Sequence, residues 1–254
     1  MARKRRGKSD SSGKKKMLWA FVCCTLVVFV SLIWLWWPLG KERHFGIPIP
    51  AGFGIHGIDV SQYQGDIDWK KALAPQDSQI RISFVFMRAT MGLRKDKKFK
   101  ENWKEARSYP VTRGAYLYFH PDKDGVKQAD LFIETVGSLK NCYPPVVDVE
   151  HQHKQKPAII RSRLMACLDR LHNHYGIRPI IYTYTTFYRD YLGSDFDAYP
   201  LWIAHYKQEE APNYINRPWD IWQHSEEGNI EGIMEKVDFN VMHDASILRA
   251  YSPN

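Results

Sequence analysis

The residues best placed for chemistry stand in the stretch Pro145-Val146-Val147-Asp148-Val149-Glu150. Three apolar residues run into two carboxylates spaced i, i+2. On a β-strand that spacing puts both acids on one face, roughly 7 Å apart by strand rise. Paired acids with different surroundings can divide the work of general acid and base, one protonated and the other ionised. The plainer reading is two solvated acids at a strand end. The rest of the chain weighs against it, because an apolar strand body is expected in a parallel sheet covered by helices, and acids at the C-terminal end of such a strand lie where α/β barrels carry their chemistry.

The elements that must position these acids alternate along the chain. Strands are predicted at Gly57–Val60, Ile82–Arg88, Arg113–Phe119, Pro145–Val149, Pro179–Tyr184, Pro200–Ala204, Asp220–Gln223 and Lys236–Phe239. Helices are predicted at Asp68–Leu73, Lys97–Arg107, Val126–Val136, Ala158–Tyr175 and Thr186–Tyr191. In the fourth helix Ile160, Leu164, Cys167, Leu168, Leu171 and Tyr175 form one apolar stripe, which is core. About eight strands alternating with helices argue a parallel sheet closed into a barrel, irregular because helices thin out after Tyr191. Asp59 closes the first strand and Asp238 lies in the last. Closure makes those strands neighbours, so Asp59 and Asp238 join Asp148 and Glu150 on one rim, and four crowded carboxylates raise some of one another's pKa values, as glycoside hydrolysis requires. Aromatic residues cluster at the same strand ends: Tyr116 and Tyr118, Tyr182 and Tyr184, Trp202 and Tyr206, and Trp222 with Gln223. They read either as core or as a cleft wall whose rings stack on sugar faces.

The amino terminus is of a different kind. Residues 1–16 hold eight basic residues against Asp10 and so carry +7 of the formal +8. The charge belongs to a tail and gives no support to a nucleic-acid partner. Residues 17–37 form an apolar run without a charge, with Trp34, Trp36 and Trp37 at its far end, and read as a transmembrane helix. Basic residues in front of it place the amino terminus in the cytoplasm and the body outside, on a single-pass inner or cell membrane. Residues 38–52 form a Pro/Gly-punctuated linker, leaving 53–254 as one large domain. Cys142 and Cys167 are the cysteines of that domain; an exported compartment would permit a bridge between them, and nothing in their spacing requires one.

With the acids placed, the chain resembles the family 25 glycoside hydrolases, the cell-wall muramidases of the Chalaropsis lysozyme type. The resemblance spans most of residues 55–243. It opens with Gly57-Ile58-Asp59-Val60-Ser61-Gln62-Tyr63-Gln64-Gly65-Asp66-Ile67-Asp68-Trp69 and continues through Gly114-Ala115-Tyr116, Asp148-Val149-Glu150, Tyr182-Thr183-Tyr184, Leu201-Trp202-Ile203-Ala204-His205-Tyr206 and Trp222-Gln223-His224-Ser225. It closes with Gly232 and Val237-Asp238-Phe239-Asn240. The resemblance implies an irregular (β/α) barrel that hydrolyses the β-1,4 bond from N-acetylmuramic acid to N-acetylglucosamine in peptidoglycan. By motif, Glu150 would be the general acid, Asp148 would orient the substrate's acetamido group, and Asp59 and Asp238 would line the site. Tyr63, Tyr116, Tyr118, Tyr182, Tyr184, Trp202, Tyr206, Trp222 and Gln223 would contact the glycan. No metal or organic cofactor is implied. Met91 departs from the polar residue, often Glu, that many members carry there.

Two routes stay open: substrate assistance with retention, which the acid pair favours, or inversion with Asp59 or Asp238 as base. A non-catalytic glycan-binding module would keep the aromatic cleft but has no need of all four acids. Glu150-His151-Gln152-His153 offers metal-ligand types, yet without a distant matching His or Cys motif it reads as exposed polar sequence.

Overall fold

A computed structural model of the chain describes Thr25 and residues 43–77, 80–206, 212 and 217–244. The chain divides into two units, Met1–Glu42 and Arg43–Asn254, and the second contains the barrel. Apart from Thr25, the basic tail and the apolar run at 17–37 lie outside the described residues. Among the described residues, no helix is long and apolar enough to cross a membrane.

Eight strands close into a barrel: β1 (Ile55–Val60), β2 (Ile82–Met91), β3 (Thr112–Tyr118), β4 (Val146–Asp148), β5 (Ile180–Tyr184), β6 (Leu201–Ala204), β7 (Ile221–Gly228) and β8 (Val237–Met242). The helices are α1 (Trp69–Ala72), α2 (Phe99–Glu105), α3 (Gly125–Val136), α4 (Pro157–Tyr175) and the short α5 (Thr185–Phe187), which runs into a π-helical turn at Tyr188–Leu192. Local chemistry sets their ends. Asp124 caps α3 by accepting from the Lys127 amide at 2.9 Å. Pro157 opens α4, and Gly176, at φ 69°, closes it in the left-handed conformation.

The barrel departs from an all-parallel expectation at its last strand. Neighbours from β1 through β7 pair in parallel, whereas β8 is antiparallel to both β7 and β1. A parallel crossover needs about a dozen residues or more. Only the short segment 229–236 joins β7 to β8, so the chain turns back on itself.

Side chains alternate between two apolar layers. Val85 and Met87 of β2 pack outward in the same cluster as Leu164 and Leu168 of α4. Phe84 and Phe86 point inward with Tyr143, Val146, Ile180 and Ile221 to fill the barrel floor. Room for the two phenylalanines comes from glycine. A Cβ on Gly57 would strike the Phe84 ring, and one on Gly114 would strike Phe86. With the floor filled by rings, polar groups collect at the opposite rim. Cys142 and Cys167 are both buried, and no disulfide joins them.

Helices α3 and α4 pack together, and a Cβ on Gly125 would fall against the backbone carbonyl of Arg163. Backbone cannot swing aside as a side chain can. Gly125→Ala should therefore cost about 1–3 kcal/mol by overpacking, outweighing the roughly 1 kcal/mol of helix propensity that alanine brings. Urea denaturation measures it; a gain in stability would mean that the two helices separate freely.

Candidate active site

The C-terminal rim of the barrel surrounds a cavity of about 620 Å³. Asp59 reaches it from the end of β1, Asp148 from the end of β4, Glu150 from two residues further on, and Asp238 from the start of β8. The antiparallel course of β8 is what brings Asp238 there, directly opposite Asp59 in the ladder. All four acids expected from the sequence thus share one cavity.

Asp59 is buried, and its Oδ2 accepts from Gln223 Nε2 at 2.7 Å and Asn240 Nδ2 at 2.8 Å. The orientation of both amides follows from their other neighbours. The Trp202 indole can only donate, and it takes Asn240 Oδ1 at 2.8 Å. Tyr182 donates its hydroxyl to Gln223 Oε1 at 2.6 Å, and the Tyr206 hydroxyl donates to the same oxygen. Each amide therefore turns its N–H toward Asp59.

Burial pushes the Asp59 carboxyl up to about 6, against the pull of its two amide donors and a hydrogen bond with Asp238. Asp238 has no such amide pair. Burial and the Asp59 charge raise it further, to about 9. The pair therefore holds one proton near neutral pH, with Asp238 donating and Asp59 ionised. Burial also drives Asp148 well above the usual carboxylate range, reinforced by Glu150 and Asp59 and only partly offset by Arg88. Its Oδ1 is buried and has no hydrogen-bond partner. Glu150 is raised by burial and drawn back by His151 and by a hydrogen bond from Tyr118. Such a rim keeps a carboxylic acid protonated where a solvated one would be ionised.

Of the aromatic and amide residues expected to meet a ligand, Tyr63, Tyr116, Tyr118, Tyr182, Trp202, Tyr206 and Gln223 line the cavity. Tyr184 and Trp222 are not among its lining residues. Tyr184 packs beside Phe187, with ring centroids 5.7 Å apart. Trp222 alternates with the inward Gln223 and so faces outward, its indole donating to the His205 carbonyl at 2.9 Å and its ring set against Phe53 and Trp219. Two adjacent strand residues cannot both face inward.

Other side chains complete the cavity. Arg88 is buried, and its Nε donates to Asp96 Oδ2 at 2.9 Å. Its guanidinium lies 4.8 Å from the centroid of the Tyr63 ring. Asp96 also accepts from the Gln62 amide at 3.0 Å, which ties the Tyr63 turn to the rim. A lone cation between Met87 and Ala89 in an apolar strand was the available signal. Asn240 is not a lining residue but donates to Asp59, and its spacing of two from Asp238 puts it on the same strand face. Met91, His120, His151, His153 and Glu226 complete much of the wall. No sequence signal linked His120 to His153.

Residues 58–233 match the model of glycosyl hydrolases family 25. The chain belongs to that family. This family 25 hydrolase is 40% identical over 202 residues to the uncharacterized protein YegX of Escherichia coli K12, covering 79% of this chain and 74% of YegX. It is 29% identical to lysozyme M1 of Streptomyces globisporus, over 74% of this chain and 67% of that protein. Its fold is similar to that of a family 25 glycosyl hydrolase from Bacillus anthracis, with a TM-score of 0.73, 29% identity, and coverage of 84% of this chain and 100% of the other. The family 25 chain is accordingly a glycoside hydrolase, and its barrel rim carries the acids that such chemistry uses.

The proton on Asp238 makes stability depend on pH. Between the unfolded value of about 4 and the folded value of about 9, the native state holds a proton that the unfolded chain lacks. Stability should fall as pH rises through that window, by up to about 1.4 kcal/mol per pH unit. Asp238→Asn keeps an N–H donor for Asp59 and cannot ionise, so it should flatten the slope above about pH 6. Urea midpoints across the window read this directly; an unchanged slope would place the proton elsewhere.

Proposed function

We propose that this family 25 hydrolase is a muramidase that cleaves the β-1,4 bond from N-acetylmuramic acid to N-acetylglucosamine in peptidoglycan, working from a membrane anchor with its barrel on the extracytoplasmic side. The observation that carries the activity is the Asp148–Glu150 pair at the end of β4, inside one cavity with Asp59 and Asp238. Lysozyme M1 and the autolytic lysozyme of Clostridium acetobutylicum, 31% identical over 187 residues, support this substrate.

Glu150 is the general acid. Burial raises its pKa, and it borders the open cavity, where it can protonate the leaving glycosidic oxygen. Asp148 orients the substrate's acetamido group. Its unpartnered Oδ1 is a buried acceptor, and an amide N–H supplied by the ligand would satisfy it. The acetamido oxygen is then held to attack the anomeric carbon, which gives retention. Asp59 and Asp238 line the site as a pair that shares a proton. Inversion, with one of that pair as base, is the competing route. Against it stands the commitment of Asp59 Oδ2 to two amide donors, which leaves that oxygen poorly free to take a proton from water.

Glu150→Gln should lower peptidoglycan cleavage by about 10²–10⁴-fold with folding intact. Mass spectrometry of released fragments should find new N-acetylmuramic acid reducing ends only with the unaltered protein, and NMR should find the first product anomer retained. Glycan binding without cleavage by either protein would favour a binding module, and an inverted anomer would overturn substrate assistance.

The anchor rests on the apolar run at 17–37 and the basic residues before it. Full-length protein expressed in bacteria should stay with the membrane fraction through alkaline carbonate washing, and external protease should digest the barrel in spheroplasts. Release by carbonate would remove the anchor from the proposal.

A further inference from the structure

The cavity wall holds a second constellation that the acids do not use. His120 and Asp122 lie on the loop after β3, and His153 lies on the loop after β4. Each offers one ligand atom, and the three atoms lie within 4.8 Å of one another. His120 Nδ1 is 4.0 Å and His153 Nδ1 is 3.7 Å from the same oxygen, Asp122 Oδ1. Both separations are too long for hydrogen bonds. That oxygen is buried without a hydrogen-bond partner. Two imidazoles and a carboxylate thus gather around a buried carboxylate oxygen that has no hydrogen-bond donor, which is the arrangement a cation completes.

The spacing suits a particular class of ion. Tetrahedral zinc with bonds of about 2.0–2.1 Å sets its ligands about 3.3 Å apart. The separations of 3.7 Å and 4.0 Å from Asp122 Oδ1, within a trio that spans up to 4.8 Å, need to close by roughly 0.4–1.5 Å, a distance that side-chain rotations of the three ligands cover. Two imidazoles with one carboxylate favour zinc-class transition metals over calcium or magnesium.

The ligands are also held from behind. Buried Gln128 clamps the His120 backbone on both sides, accepting from its amide at 2.9 Å and donating to its carbonyl at 3.0 Å. Arg163 donates to the Pro121 carbonyl at 2.6 Å and fixes the same loop to α4. Gly92 lies against the His120 ring, where a Cβ would press at 3.1 Å. The Asp122 carboxylate's second oxygen is taken by Lys123 at 2.9 Å, which leaves Oδ1 as the inward one. His153 and Lys154 both sit at positive φ, 45° and 60°, so that loop follows a backbone course that non-glycine residues seldom adopt.

We propose that His120, Asp122 and His153 form a binding site for one divalent zinc-class metal ion at the rim of the glycan cleft. Three protein ligands leave a fourth coordination position. Because His120 and His153 also line the cavity, that position opens toward the cleft. His151 borders the same cavity but stands apart from the trio, its ring 6.2 Å from that of His153 and perpendicular to it.

Isothermal titration of the full chain in detergent micelles with zinc chloride, at about pH 7 where imidazoles can ligate, tests this without recourse to hydrolysis. One equivalent should bind, and magnesium and calcium should not compete. His120→Ala and His153→Ala should each weaken binding by at least about tenfold, and Asp122→Asn, which keeps the side chain's shape, should do the same with an unchanged circular dichroism spectrum. Glu150→Gln should bind zinc as tightly as the unaltered chain. Absence of binding, or binding that the three substitutions leave intact, overturns the site. Loss of binding in Glu150→Gln alone would assign the ion to the catalytic acids and overturn it equally.

Discussion

The structure depends on keeping one buried carboxylate ionised. Asp59 lies among apolar strands, where an unpaired charge is several kcal/mol out of place. Its Oδ2 is stabilised by amides from β7 and β8, and each amide is itself held in orientation by aromatic hydroxyl or indole groups from β5, β6 and the Tyr206 loop. Five strands therefore join in one hydrogen-bond network around Asp59. Closing the barrel and building the site are the same event, because a strand displaced from the ladder would strand a buried donor or acceptor along with it.

The reversed last strand follows from chain length and serves the same network. With only a short segment between β7 and β8, an antiparallel return is the available connection. In that direction the beginning of β8 reaches the rim while its end lies against the floor, where Met242 packs in the inner cluster. A parallel β8 would carry Asp238 down among the phenylalanine rings, a place without donors for a carboxyl. The direction of β8 thus decides whether Asp238 is a neighbour of Asp59 or an unsatisfied group in the core.

Most of the barrel could be read from the sequence because its strands are short apolar runs bounded by turn residues; all eight appear where expected, although β7 runs on well past Gln223 to Gly228. The four acids could be read because each sits next to such a run. What escaped was the direction of β8, since apolar alternation carries no polarity along the chain. Trp222 and Gln223 were grouped by adjacency, although the period of two in a strand separates adjacent residues onto opposite faces. Asn240, two residues from Asp238, shares its face by the same rule. The grouping of His120 and Asp122 with His153 could not be read, because β4 and the whole of α3 lie between them in sequence and only their neighbouring strand ends bring them together. Arg88 stood out as a cation in an apolar run, yet nothing nearby identified Asp96 as the partner that holds it.

That pairing shapes the chemistry of the rim. Arg88 lies close enough to draw the Asp148 pKa downward, but its effect ranks behind burial and the charges of Glu150 and Asp59. Its Nε is committed to Asp96, which is itself anchored by the amides of Gln62 and Lys98. An unpaired arginine would neutralise the acids by ion pairing and leave them deprotonated. With the arginine already paired, crowded carboxylates over a floor of aromatic rings lower their mutual repulsion by retaining protons. The apolar residues that stabilise the barrel floor are thus also the reason its rim can hold an acid ready to donate.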